Sequence, residues 1–177
     1  MTTESLGAAR KVGLKVDGVT HELTVDPRRT LLDLLREQID VYSAKKGCDH
    51  GQCGACTVLV DGRRVLACLM LALACDGAEV TTAAGLAGDD GELHAVQRAF
   101  LAHDAFQCGY CTPGQICSAA GMLREFGEGA PSHVTSPVAD RPQWTDREIA
   151  ERMSGNLCRC GAYAGIVAAV REAGDPR

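Results

Sequence analysis

The stretch Cys48-Asp-His-Gly-Gln-Cys53-Gly-Ala-Cys56, with Cys68 beyond an apolar run, decides how this chain is read. Its cysteines are separated by four, two and eleven residues. The first two gaps are the plant-type spacing of a [2Fe-2S] site, in which a more distant cysteine completes the set. One tight loop then has to turn three thiolates inward with neither helix nor strand to hold them. Gly47, Gly51 and Gly54 flank and separate these positions, where positive φ would aim backbone N–H groups at sulfur. Lys45 and Lys46, just before the loop, would lower the cost of adding an electron. Zinc is the competing occupant of four cysteines, but zinc sites normally pair their cysteines as two separate knuckles.

Ten cysteines in 177 residues is high, and the compartment decides whether they favour metal ligation or disulfides. Met1 to Arg10 carries no apolar segment of the signal type. The Arg28-Arg29 pair runs into Thr30-Leu-Leu-Asp33-Leu-Leu-Arg36-Glu37, which has the charge pattern of an amphipathic helix rather than of an export signal. A cytoplasmic location is therefore expected. The net charge of −5, with no basic block, argues against nucleic acid and against an anionic membrane surface as partners. No apolar run is long enough to span a bilayer.

Working outward, residues 10–16 and 19–25 read as two strands about an Asp17-Gly18 turn. Thr30 with Asp33 predicts a capped helix carrying Leu31, Leu32, Leu34 and Leu35 on its core face. Past the cysteine loop, Thr57 to Val60 and Arg63 to Cys68 read as a second hairpin about Asp61-Gly62, and Ala78 to Thr82 as a closing strand. This order predicts an α+β unit of the β-grasp, ferredoxin-like kind over residues 10–85.

Strand signals stop near Gly85, and residues 90–174 read as all-α. Asp90 is placed to cap a helix through Leu93, Val96, Phe100 and Leu101. Thr112 as cap and Pro113 at the first turn predict the next helix, and Thr145 with Glu148 reads as a complete capping box, with Ile149 set to staple against Trp144. Residues 127–143 form an aperiodic loop, and a last helix is expected from about Ala162 to Glu172. Cys108 and Cys111 are two residues apart, whereas Cys158 and Cys160 are separated by one. These halves would bring four thiolates together at the centre of a four-helix bundle. Zinc competes again, but a plant-type motif in the same chain shifts the reading to a second [2Fe-2S] cluster and so to an electron relay. Cys75 and Cys117 fall outside both motifs and read as buried apolar cysteines. His50, His94 and His103 are assigned no metal.

The motifs Gly47-Cys48-Asp-His-Gly-Gln-Cys53-Gly-Ala-Cys56, Gln107-Cys108-Gly-Tyr-Cys111-Thr-Pro-Gly114 and Gly155-Asn-Leu-Cys158-Arg-Cys160 resemble the small iron-sulfur subunit of the xanthine oxidase family of molybdenum hydroxylases. The resemblance covers about Val12 to Glu172, and Ser132 to Thr135 in the long loop make it most similar to the subunit of bacterial aldehyde oxidoreductases. It implies a β-grasp plant-type ferredoxin domain followed by a four-helix-bundle domain, each with one [2Fe-2S] cluster. Cys48, Cys53, Cys56 and Cys68 would hold the FAD-side cluster, and Cys108, Cys111, Cys158 and Cys160 the molybdenum-side cluster. Gln107 and Cys160 would touch the pterin. Molybdopterin, as its cytosine dinucleotide, would sit on a large partner subunit and FAD on a medium one. The chain would then be the electron-transfer subunit of an aldehyde-oxidising enzyme, with no catalytic residue of its own. The chain has neither a dinucleotide fingerprint nor a P-loop, which agrees with that division. Two alternatives stay open: a free-standing two-cluster ferredoxin, and the subunit of a purine or N-heterocycle hydroxylase.

Overall fold

In the computed structural model, which describes residues 8–88, 90–138 and 140–175, two hydrophobic cores follow one another along the chain. The first is built on a five-stranded mixed sheet of order β2-β1-β5-β3-β4. β1 (Arg10–Val16) and β2 (Val19–Val25) pair antiparallel in the register Val16 to Val19. Asp17 and Gly18 both take positive φ, as a two-residue turn matched to strand twist requires. β3 (Thr57–Val60) and β4 (Arg63–Leu66) repeat this arrangement about Asp61 and Gly62. β5 (Glu79–Thr81) inserts between the hairpins, parallel to β1 and antiparallel to β3. Both turn aspartates are also ligated: the Asp17 carboxylate accepts from the Thr82 N–H and hydroxyl, and Asp61 accepts from the Glu79 N–H. The turns thus fasten β5 as well as reversing the chain.

Helix α1 (Leu31–Glu37) covers one sheet face with Leu31, Leu32, Leu34 and Leu35, all fully buried. Each such leucine contributes about 1.5–3 kcal/mol. The Thr30 hydroxyl caps the Asp33 N–H at 3.1 Å, but the box is only half made, because the Asp33 carboxylate turns to the Lys46 ammonium. The opposite sheet face is covered too. Helix α3 (Thr112–Gly127) lies on β3 and β4, and Gly121 permits the approach: a Cβ there would sit 2.3 Å from Arg64 Cγ.

The second core gathers Val96, Phe100, Ile116, Met122, Ile149, Ile166 and Val170 from α2 (Ala95–Ala102), α3, α4 (Asp146–Arg152) and α5 (Tyr163–Ala173). Four sequence expectations are corrected here. α2 begins at Ala95, not after Asp90; Asp90 accepts from the Glu92 N–H in a local turn. His94 is the cap: its Nδ1 accepts from the Val96 N–H while Gln97 accepts from the His94 N–H. Burial, with Arg98 nearby, holds the His94 imidazole below its usual range, in the neutral form an acceptor needs. Leu93, ahead of the helix, and Leu101, within it, are exposed rather than on the core face. Thr112 caps nothing: Cys111 holds the cap position of α3, and the Thr112 hydroxyl is buried without a protein partner. At α4 the Thr145 hydroxyl caps the Glu148 N–H, but the Glu148 carboxylate is taken by buried Arg152 and by Ser132 and does not reach back. Trp144 lies against Phe126, with ring centroids 4.7 Å apart, and donates to the Arg171 carbonyl.

The segment expected as a loop over residues 127–143 begins in the structure after Gly127, the last residue of α3, and its described residues are anchored at Ala130 and Thr135. The Arg152 guanidinium donates to the Ala130 carbonyl, and Thr135 is buried. Arg64 of β4 forks onto Glu125, donates to Ser118 and reaches the Arg152 carbonyl at 2.8 Å. A single charged network therefore fastens sheet, α3, α4 and loop together.

Candidate functional site

The structure brings the eight cysteines singled out by sequence into two groups of four. In the first, the Cys48 N–H points at Cys53 Sγ at 3.4 Å, and the Gln52 and Cys53 N–H groups point at Cys48 Sγ at 3.2 and 3.4 Å. Cys56 lies against Cys68 and near Cys53. Gly51 and Gly54 take positive φ, and so does Asp49, which sequence reasoning overlooked. Gly47 does not; its role is close approach, since a Cβ there would meet Cys53 Sγ at 2.8 Å. The expected electrostatic help from the two lysines is reduced at Lys46, whose charge is shared among carboxylates. Lys46 is bound by Asp33, with Glu37 at 3.7 Å and Asp49 at 3.9 Å, and Lys45 donates to the Tyr42 carbonyl. The free dipoles aimed at sulfur are backbone N–H groups.

In the second group, Cys108 adjoins Cys160, and Cys111 adjoins Cys158, where the Ala162 N–H points at Cys158 Sγ at 3.4 Å. Cys158 is buried, whereas Cys108 and Cys160 are exposed, as is Gln107. Around this open edge stand exposed Tyr110, Leu157 and Tyr163. A cavity of about 430 Å³ reaches from Gly47 and Cys53 of the first group to Cys108, Cys111 and Cys158 of the second. Cys75 and Cys117 are buried in the first and second hydrophobic cores, and His50 is exposed beside the Cys48 carbonyl.

Thiolates, not thiols, hold metal. The backbone donors at His50, Gln52 and Cys53 lower the Cys48 thiol to about 6 against the desolvation that opposes them. Burial pushes Cys56 up to about 12, Cys111 to about 11 and Cys117 to about 12. In the chain stripped of iron at pH 7, iodoacetamide should therefore label Cys48 at least about 100-fold faster than Cys56 or Cys117. Peptide mass spectrometry over a time course checks this, and equal labelling would contradict it.

The donor set fits a cluster of iron and sulfide. Four thiols close on each locus, N–H groups already point at sulfur, a missing Cβ leaves room at Cys53, and the buried Thr112 hydroxyl beside Cys111 has no acceptor within the protein. Among the described residues, no three His, Cys, Asp or Glu side chains are drawn together as around a single ion.

Comparison with known proteins agrees with this arrangement. Residues 14–83 match the 2Fe-2S iron-sulfur cluster binding domain, and residues 82–171 match the [2Fe-2S] binding domain. The chain is 60% identical over 160 residues to the aldehyde oxidoreductase iron-sulfur-binding subunit PaoA of Escherichia coli, covering 90% of this chain and 69% of that protein. It is 42% identical over 162 residues to the nicotinate dehydrogenase small FeS subunit of Eubacterium barkeri, covering 92% and 93%. Among solved structures it superposes on quinoline 2-oxidoreductase from Pseudomonas putida with a TM-score of 0.78 at 35% identity, covering 93% of this chain and 91% of that one. For the aldehyde oxidoreductase from Desulfovibrio desulfuricans the TM-score is 0.77 at 38% identity, covering 93% of this chain and 17% of that one. The chain therefore belongs to the iron-sulfur subunits of the xanthine oxidase family, those of aldehyde oxidoreductases and related molybdenum hydroxylases.

Proposed function

We propose that this chain is a two-step electron relay between a large molybdopterin-binding subunit and a medium FAD-binding subunit of an aldehyde-oxidising enzyme. Cys48, Cys53, Cys56 and Cys68 hold the first cluster, on a β-grasp unit of residues 10–85. Cys108, Cys111, Cys158 and Cys160 hold the second, on a four-helix bundle of residues 90–174. Each [2Fe-2S] group, when bound, supplies a reversible one-electron couple. The protein's part is to supply thiolates, aim N–H dipoles at sulfur and bury Cys56, Cys68 and Cys158 away from water. Gln107 and Cys160 face the pterin. Support for that orientation comes from their exposure beside Cys108, within an edge rimmed by Tyr110, Leu157 and Tyr163. The cytoplasmic location rests on cysteine usage alone.

The observation that carries this reading is the closure of eight thiols into two groups of four whose loops touch. Anaerobically prepared protein should hold about four irons per chain, and its dithionite-reduced EPR spectrum should show two [2Fe-2S] signals. Zinc in place of iron, or one signal only, would overturn it. Kinship with a nicotinate dehydrogenase subunit and with quinoline 2-oxidoreductase supports a second reading, a nitrogen-heterocycle substrate for the large subunit. Turnover of the purified complex on aldehydes and on N-heterocycles separates the two. A chain that purifies without partners would favour a free ferredoxin.

A further inference from the structure

Where the two ligand loops meet, one side chain is tied to every strand of the junction. Asn156 is buried, two residues before Cys158. Its Nδ2 donates toward the Gly54 carbonyl at 3.0 Å, the Thr57 hydroxyl at 3.1 Å and the Gly114 carbonyl at 3.2 Å. The Asn156 main-chain carbonyl accepts from buried Gln115 at 2.9 Å. Gly54 belongs to the first cysteine loop and Thr57 opens β3 directly after it; Gly114 and Gln115 follow Cys111 on α3. A neutral amide suits this place: it brings two N–H donors without a charge, whereas a carboxylate would face three oxygens and an ammonium would be desolvated. The packing leaves no slack. A Cβ on Gly54 would sit 2.4 Å from the Gly155 carbonyl, and one on Gly114 would sit 2.4 Å from the Gly54 carbonyl.

The consequence lies one residue further on. The Leu157 N–H donates to the Cys53 carbonyl at 2.9 Å, so a thiol of the first group and Cys158 of the second are joined by main chain interrupted once, by a hydrogen bond. We propose that Asn156 is a positioning residue for electron exchange between the two sites, holding Leu157 against Cys53 and so setting their contact. This rests on the ligand assignment above. The step served is transfer of one electron: the donor site is oxidised by one, the acceptor site is reduced by one, no bond forms or breaks, and no proton leaves Asn156. Substrate oxidation on the partner, or dithionite in a test, supplies the electron.

The test uses the full chain loaded with iron and sulfide. In Asn156→Ala, iron should stay at about four per chain with both EPR signals at their own g-values. Spin–spin broadening in the fully reduced protein should weaken, and electron equilibration between the sites after a one-electron pulse should slow by about 10-fold or more. Asn156→Gln, which keeps the amide, should recover part of the rate. Thr57→Val, which removes one acceptor of Asn156 together with the hydroxyl's own 2.7 Å bond to the Gly54 carbonyl, should give a smaller effect of the same kind and decides the matter if Asn156→Ala does not fold. Unchanged broadening and rate in the variant that folds would overturn the proposal, and loss of either EPR signal in both variants would overturn it in favour of a purely structural role. Wild-type chain with well under about four irons would instead overturn the ligand assignment itself.

Discussion

Cys160→Ser should halve the iron content, from about four to about two per chain, and remove one of the two [2Fe-2S] EPR signals. The signal lost should be that of the second site, because Cys160 stands against Cys108 at the open edge of that group, while the first group has a separate loop, with backbone donors at Cys48 and Cys53, and Cys68 just past β4. In the assembled enzyme, reduction of the remaining site by substrate should fall to background, whereas dithionite should still reduce it. Loss of both signals together would mean that the sites are not independent. Retention of both would remove Cys160 from the ligand set.

Glu148→Ala should destabilise the iron-loaded chain by about 3–5 kcal/mol, because it leaves a buried guanidinium without its main partner. The Glu148 and Arg152 side chains are 3% and 4% exposed and meet at 2.7 Å, while the other carboxylate near Arg152, on Glu125, is 3.8 Å away. The change also strips Ser132 of its acceptor and loosens the inner edge of the loop over residues 127–143. Thermal unfolding should shift down on the order of 10 °C for a chain of this size. Replacing both partners, Glu148→Leu with Arg152→Met, should recover most of the loss, since apolar groups of similar volume leave no charge to solvate. If the double replacement costs as much as the two single ones added together, the penalty comes from packing and not from an unpaired charge.

Much of the first unit is legible in the sequence because its signals are local. Asp-Gly pairs between alternating strands specify the hairpins, and the leucines of α1 specify the buried helix face. Helix ends are harder to read. Asp90 has the better capping chemistry, yet His94 starts α2, because there Gln97 can close the box and also donate to the Ala83 carbonyl. Both acidic partners of the Thr30 and Thr145 boxes desert them for a more distant cation, Lys46 or Arg152. A charged side chain has several possible partners in a sequence, and only the folded geometry selects one. The lysines before the cysteine loop illustrate the same point: counted in sequence they favour an added electron, but in the fold Lys46 is already held among three carboxylates.

Cysteine spacing by itself marked the local clusters, Cys48 to Cys56, Cys108 with Cys111 and Cys158 with Cys160, since a ligand loop closes within a few residues and its glycines are part of the motif. What joins the two groups was decided by the tertiary structure. Asn156 meets Gly54 across 102 positions of sequence, and Arg64 meets Glu125 across 61. Contacts over such separations carry no periodicity that a sequence can display. They exist because α3 lies flat on β3 and β4 at Gly121, and that close approach places one buried amide between the two ligand loops.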